Sequence, residues 1–405
     1  MFMVLTFNFY ATLLAMVFVL LLGRLIINRS KFLRDYNIPE PVVGGIIVAI
    51  LIFILYTYGN IELKFDGSLK DPLMLAFFTS IGLSADFASL KKGGKLLIGF
   101  LFIVTGLLFL QNIVGVSVAT LLGVDPTVGL LGGSVTMSGG HGTGAAWADI
   151  FKNPPYSFGA AMEVAMASAT FGLVMGGIIG GPVAHYLVKK HNLTLPSASM
   201  QEEAPTGFEK PEKERLITAT SFIESLALIV IALFIGTEIA KLFQGGSFTL
   251  PTFVWCLFIG VVLRNVLQAT KVHQVFDREV SVIGNVSLSL FLAFALMTIN
   301  LWQLVSLALP MLIILACQVV MMVFYAIFVT FRFCGKDYDA AVLAAGHCGF
   351  GLGATPTAMV NMQTVTQHYG PSHTAFIVVP LVGAFFIDII NAIVISGTLK
   401  LPFFG

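Results

Sequence analysis

In this 405-residue chain, the residue types and spacings that could do chemistry fall in two glycine-rich stretches, SGGHGTG at Ser138–Gly144 and GFGLGATPT at Gly349–Thr357. In the first, Gly139, Gly140, Gly142 and Gly144 permit tight turns and close approach of backbone to a ligand, while Ser138, His141 and Thr143 supply side-chain groups. A helix beginning near Gly144 would aim unpaired N–H groups and a partial positive charge at an anion. The plainer reading is a hairpin whose glycines serve only close helix packing. In the second, Gly351 and Gly353 precede Thr355, Pro356 and Thr357. Pro356 suits the first turn of a helix, Thr355 before it reads as its N-cap, and Thr357 adds a second hydroxyl. A capped helix start exists on either reading, and the open point is whether the cap is also a ligand.

Other polar residues lie within apolar runs. Asp388 and Asn391 are three residues apart and so share a helix face; a carboxylate at that depth is expensive and points to cation or substrate-amine binding, against a structural hydrogen bond. Gln111, Asn112 and Gln318 either line a site or bond between helices, and Asn285 sits near Ser287 and Ser289. Glu163 and Glu224, near span ends, read as structural. His141 and His347 either relay protons or satisfy backbone groups in tight turns. Gly176 and Gly180 are four apart, which suits a helix contact. All seven arginines lie at span ends or in loops, so an anionic substrate would be held by helix N-termini and hydroxyls. Neither glycine stretch ends in Gly-Lys-Ser/Thr and no HExxH occurs, so the residues indicate no enzyme and no ATP-driven process.

These residues must be positioned by membrane helices. The chain is 57% hydrophobic and 11% charged, against roughly 25% charged for an average soluble domain, and apolar runs recur at the length that crosses about 30 Å of hydrocarbon. The fold class expected is an all-α polytopic membrane protein. A net charge of +1 gives no case for nucleic acid. Cys256, Cys317, Cys334 and Cys348 have no short paired spacing and read as small apolar fillers. The N-terminus shows no basic leader or cleavage site, so residues 4–27 read as a retained span.

Hydropathy and breakers give ten spans, at 4–27, 41–58, 72–90, 95–122, 160–188, 217–243, 251–268, 280–303, 306–333 and 371–400. Two glycine-rich pieces, 127–147 and 339–360, make no full crossing. With the N-terminus outside, seventeen of the 22 Lys and Arg residues fall on the inner side and five outside. That bias holds only if both pieces enter and leave by one face. Trp147, Trp255 and Trp302 then fall near the outer interface. The polar stretch 189–216 divides the chain into 1–188 and 217–405. A spacing of 212 residues relates Pro39 to Pro251, Asp125 to Asp337, Gly139 to Gly351 and Thr143 to Thr355. Five spans per half is odd, so the halves oppose each other: two inverted five-helix repeats, each with a re-entrant glycine-rich hairpin, the pattern that marks a secondary transporter's midplane site.

The chain resembles the bacterial sodium/glutamate symporter family. The resemblance is carried by IPEPVVGG, DPLMLAFF, SGGHGTGAAWADIF, EVAMASATFGLVMGGIIGGPVA, GNVSLSLFLA, AAVLAAGHCGFGLGATPTAM, GPSHTAF and VGAFFIDIINA. It implies uptake of L-glutamate with co-transported sodium and no organic cofactor, a homodimer in the bacterial inner membrane, and elevator-like movement; the charge count with ten spans puts both termini in the periplasm. On this reading the substrate is assigned to Ser138, Gly139, Gly140, His141, Gly142, Thr143, Gly144, Gly351, Gly353, Thr355, Pro356, Thr357 and Asn391, and sodium to Asp388, Asn285 and Gln318. A sodium/proton or carboxylate exchanger of the same architecture, and a channel with two half-pores, are the rival expectations. Saturable, concentrative uptake would exclude the channel.

Overall fold

Helix starts follow local capping signals. In the computed structural model, which describes residues 3–36, 38–193, 216–243, 250–299, 307–401 and 404, Asn8 caps α1 (Phe9–Arg29) by accepting from Ala11 N at 3.0 Å. A short α2 (Lys31–Asp35) follows, capped by Ser30. Pro39 precedes α3 (Glu40–Gly59) and Pro251 precedes α10 (Thr252–Thr270), so both helices begin at the fixed φ of proline. Asp125 Oδ1 accepts from Thr127 N at the start of α6 (Pro126–Leu130), and Asp337 Oδ1 accepts from Ala340 N at the start of α14 (Tyr338–Leu352), each at 2.8 Å.

Between α3 and α6 lie α4 (Lys70–Ser84) and α5 (Ala88–Leu121), the latter broken at Gly94, whose φ is +60°. After α6 a π-turn segment, Leu131–Val135, leads to α7 (Gly140–Lys152) and then α8 (Ala161–His191). The later half of the chain runs through α9 (Ala219–Leu242), α10, α11 (Asp277–Met297) and α12 (Ala308–Tyr325), which continues through a π segment into α13 (Phe331–Phe333). α14 and α15 (Thr355–Tyr369) follow, then α16 (His373–Leu381) and α17 (Ile387–Thr398), joined through a π segment at Val382–Phe386.

Among the described residues, eight helices are long and apolar enough to cross a membrane, and the bent pair His373–Ala384 and Ile387–Thr398, inclined at 45°, makes a ninth if it is one span. The chain is a multi-pass helical membrane protein. The expected third span, 72–90, is the short one: α4 has 15 residues, which at 1.5 Å per residue reaches about 22 Å, below the ~30 Å of hydrocarbon. The expected first span, 4–27, is also corrected. Met3–Phe7 forms a strand paired in parallel with Ile61–Phe65, Met3 opposite Ile61 and Phe7 opposite Phe65, and the helix starts only after the Asn8 cap. Of the expected linker 189–216, residues up to His191 belong to α8, and 194–215 lie outside the described residues, as does Trp302.

The helices sort into two groups. In one, α4 packs on α10 and α11, α3 on α1 and α11, and α9 on α10; Met16, Val19, Ala293 and Met297 form one of its small cores, Leu83, Ile229 and Val280 another. In the other, α8 carries α7, α14 and α15, and α5 packs on α6, α12 and α17 around Phe100, Leu107, Met322 and Phe350. Between the groups, Phe78 of α4, Phe253 of α10 and Trp147 of α7 form an aromatic seam, Phe78 to Phe253 at 4.4 Å and Trp147 to Phe253 at 5.5 Å between ring centroids. Trp147 is 1% exposed, so it belongs to this seam and not to a lipid interface.

Candidate functional site

The second glycine stretch is the turn of a helical hairpin. Gly349 faces Ala358 so closely that a Cβ on Gly349 would lie 2.4 Å from the Ala358 Cα, Gly346 faces Met362, and Asn361 Nδ2 donates to Ala345 O at 3.3 Å. These pairings run antiparallel, and at the hairpin's open end the Tyr338 hydroxyl donates to Gly370 O. The hairpin covers 338–369, longer than the expected 339–360 because α15 continues past Val360. Asn361 also donates to Gly176 O at 2.9 Å, fixing the hairpin to α8.

The first stretch reverses the chain at Gly139–Gly140. Gly140 takes φ +66°, a conformation glycine adopts without penalty. A Cβ on Gly144 would lie 3.0 Å from the Thr136 side chain, eight residues back, closer than any continuous helix allows. α7 therefore begins at Gly140 rather than Gly144, and His141, Gly142 and Thr143 occupy its first turn. In the second stretch the N-cap is Ala354, in extended backbone, and Thr355 is the first helical residue with Pro356 second. Thr355 is not the cap because its own backbone is already helical.

The two turns meet. Gln111 Nε2 of α5 donates to Gly351 O at 2.7 Å, and the Ser138 hydroxyl donates to Gln111 Oε1 at 2.8 Å and lies 3.2 Å from Gly351 O. Gly140 approaches Gly353 O, the nearest atom to a Cβ there at 3.5 Å, and Gly172 of α8 packs against Leu352 O. The N-termini of α7 and α15 thus converge on one buried region, each carrying free N–H groups and the positive end of a helix dipole. Thr143 and Thr357 are buried within their first turns; the Thr357 hydroxyl has no hydrogen-bond partner among the described residues. The Thr355 hydroxyl faces Gly383, 3.2 Å from where a Cβ would stand.

A second knot of polar groups adjoins the first. Gln318 Nε2 donates to Gln111 O at 2.7 Å, Asn112 Oδ1 accepts from Ser134 N at 2.9 Å, and Asn391 Nδ2 donates to Ser134 O at 2.8 Å. Gln318 and Asn391 therefore sit beside the glycine turns. Asp388 shares the Asn391 face of α17, one turn earlier. Asn285 does not join them: it is exposed on α11, and its amide reaches Ser281 of the same helix at 3.3 Å. Both histidines are held by neighbours. The Thr170 hydroxyl directs its proton to Met166 O at 2.8 Å, so it accepts from His141 Nε2 at 3.0 Å. His347 Nδ1 pairs with the Thr330 hydroxyl at 2.8 Å inside a cage of Phe100, Tyr325 and Phe350. Sequence reasoning named Gln111 without choosing its role and missed Ser134 and Asn361, whose partners are distant in sequence. Among the described residues no group of three or more His, Cys, Asp or Glu side chains could hold a metal ion, so a cation here would be met by neutral oxygens and a single carboxylate.

This geometry sits in a sequence whose residues 5–371 match the family model described as sodium/glutamate symporter. The chain belongs to the sodium/glutamate symporter family. Among its curated relatives, this family member is 58% identical over 395 residues to a sodium/glutamate symporter of Escherichia coli (strain K12), covering 98% of both chains. It is 53% identical over 388 residues to one of Haemophilus influenzae, covering 96% of both. Among solved structures, a sodium proton antiporter from Methanocaldococcus jannaschii aligns over 97% of this chain and 99% of its own at 15% identity with a TM-score of 0.39, too distant to bear on fold or function.

Proposed function

We propose that this protein imports L-glutamate together with sodium, as a secondary active transporter. The reading rests on family membership, and one observation carries it to the site: Gln111 and Ser138 join the first glycine turn to Gly351 of the second, so two helix N-termini face one buried region with no arginine among the described residues there. Carboxylates suit such a place. Ser138, Gly139, Gly140, Gly142, Thr143 and Gly144 would supply one side and Gly351, Gly353, Thr355, Pro356 and Thr357 the other, with Gln318 and Asp388 on the sodium side. His141 and His347 are each tied to a threonine hydroxyl, Thr170 and Thr330, which favours symport with sodium over proton exchange.

The finer architecture belongs to the same proposal: ten crossings, with 1–188 and 217–405 as inverted repeats and 189–216 as a cytoplasmic linker. Three pairs of helix starts support it, since α3 and α10, α6 and α14, and α8 and α16 each begin 212 residues apart. Opposed orientation draws support from the ends that meet. Asp149 of α7 pairs with Lys70, and a cavity of about 700 Å³ beside them also takes in Leu250, Ser396 and Lys400. Tyr369, at the open end of the second hairpin, pairs with His185, and Phe331 with His191. The hairpins would then be re-entrant from opposite faces, the first from the periplasm. A homodimer in the bacterial inner membrane, both termini periplasmic, completes the reading. Elevator-like movement would carry the hairpin group against the group built on α3, α4, α10 and α11.

The test is radiolabelled L-glutamate uptake into proteoliposomes with an imposed sodium gradient, repeated with lithium and with a proton gradient alone. Concentrative, sodium-driven uptake is expected. Uptake driven equally by the proton gradient would favour the exchanger, and a flux that never exceeds equilibration would make the protein a channel.

A further inference from the structure

Two buried oxygens beside the glycine turns have no partner. Ser134 Oγ and Asn391 Oδ1 both belong to residues with no exposed surface, and neither makes a hydrogen bond among the described residues. Buried polar atoms are almost always paired, and leaving one unpaired costs about 1–3 kcal/mol. The two residues are in contact, because Asn391 Nδ2 donates to the Ser134 backbone carbonyl at 2.8 Å. That bond also fixes which way the amide faces: Ser134 O can only accept, so the NH2 must point at it and Oδ1 must point elsewhere. Ser134 is held from the other side by Asn112 Oδ1, which takes the Ser134 N–H at 2.9 Å.

The backbone around Ser134 is itself irregular. Leu131–Val135 is a π segment and Gly133 sits at φ −95°, ψ −140°, off the helix ladder. Such bulges recur at functional sites, and unwound backbone in transporters supplies carbonyl oxygens to sodium. Asp388, on the same face of α17 as Asn391, brings the negative charge that neutral oxygens lack.

We infer that Ser134 Oγ and Asn391 Oδ1, with Asp388 one turn away, form a binding site for a sodium ion, between the π segment of the first hairpin and the last helix. This rests on the symport reading above and deepens it. It assigns Asn391 to the cation rather than to glutamate, and it brings in Ser134. The site links ion binding to the hairpin that carries Gly139–Gly144, so an ion there would fix the turn against α17.

The experiment is thermal unfolding of the purified full chain, without glutamate, in increasing NaCl at constant ionic strength made up with choline chloride. Ser134→Ala removes an unpaired hydroxyl, so in choline it should melt at or above the wild-type temperature. Its sodium midpoint should rise about tenfold, the loss of one contact worth ~1.4 kcal/mol. Asp388→Asn, nearly the same shape, should raise the midpoint as well, and it keeps the site open to test if Ser134→Ala fails to fold. A wild-type sodium midpoint in either variant would overturn the site, and a bridging water in place of the ion would show itself by that result. If wild-type protein is sodium-stabilised and concentrates glutamate while the variants keep its midpoint, the site alone fails. If the wild type neither binds sodium nor concentrates glutamate, the symport reading fails with it.

Discussion

Replacing Gln111 by leucine tests whether the two glycine turns act as one unit. The side chain makes two buried hydrogen bonds, to Gly351 O at 2.7 Å and from the Ser138 hydroxyl at 2.8 Å. Leucine nearly conserves volume, so no large cavity opens. Ser138 retains a second acceptor in Gly351 O at 3.2 Å, and one pairing is therefore recoverable. What is lost is about one to two net hydrogen bonds at roughly 1 kcal/mol each, rising to ~3 kcal/mol if Gly351 O is left poorly paired. At ~1.4 kcal/mol per tenfold, the arrangement joining the turns should weaken by about tenfold to a hundredfold. Gln111→Glu separates bonding from bulk: it keeps the shape but sets an acceptor against Gly351 O, so it should be worse than leucine. The assay pairs melting temperature in detergent with the initial rate of sodium-driven glutamate uptake. The reasoning is refuted if Gln111→Leu leaves both unchanged, or if Gln111→Glu outperforms it.

Two further outcomes follow from the packing. Gly349→Ala places a methyl 2.4 Å from the Ala358 Cα, where carbon atoms prefer about 3.5–4.0 Å; the hairpin arms must part by about 1 Å, with a loss of ~1–3 kcal/mol or more and of uptake, while Gly181→Ala, with nothing within 4 Å of its Cβ, serves as the tolerated control in the same assay. Lys70 and Asp149 form an ion pair between the two helix groups, with side chains 22% and 27% exposed, so Lys70→Asp or Asp149→Lys alone should slow uptake severalfold, and the double exchange should restore most of the rate; a double variant no better than either single one would show that the pair does not couple the groups.

How far the sequence announced this structure depends on whether a feature is local. Asp125 and Asp337, and Pro39 and Pro251, which the spacing of 212 residues relates in sequence, each stand at a helix start, because a cap is settled within about four residues. Two site helices start elsewhere for the same reason in reverse. α7 begins at Gly140 on a positive φ, with no side-chain cap to read, and α15 is capped by Ala354, whose extended backbone has no residue-type signature. Pairings are harder still: Gln111 and Gly351 are 240 residues apart, and Trp147, which the distribution of Lys and Arg places near the outer interface, is claimed by Phe253 of another helix.

Asn285 and Asn391 show where the limit lies. Both are asparagines within long apolar runs, and either one could have been the ion ligand on chemistry alone. The structure exposes the first and buries the second completely against the first hairpin. In a soluble helix the polar stripe would tell the two faces apart, since water selects one side. A membrane helix is apolar on the lipid side as well as on the packed side, so hydropathy carries little contrast around its axis. The face of a polar residue is then set only by which helices surround it. A polar residue in such a span can therefore be recognised from sequence as costly, while its partner is decided by the packing of segments far away in the chain.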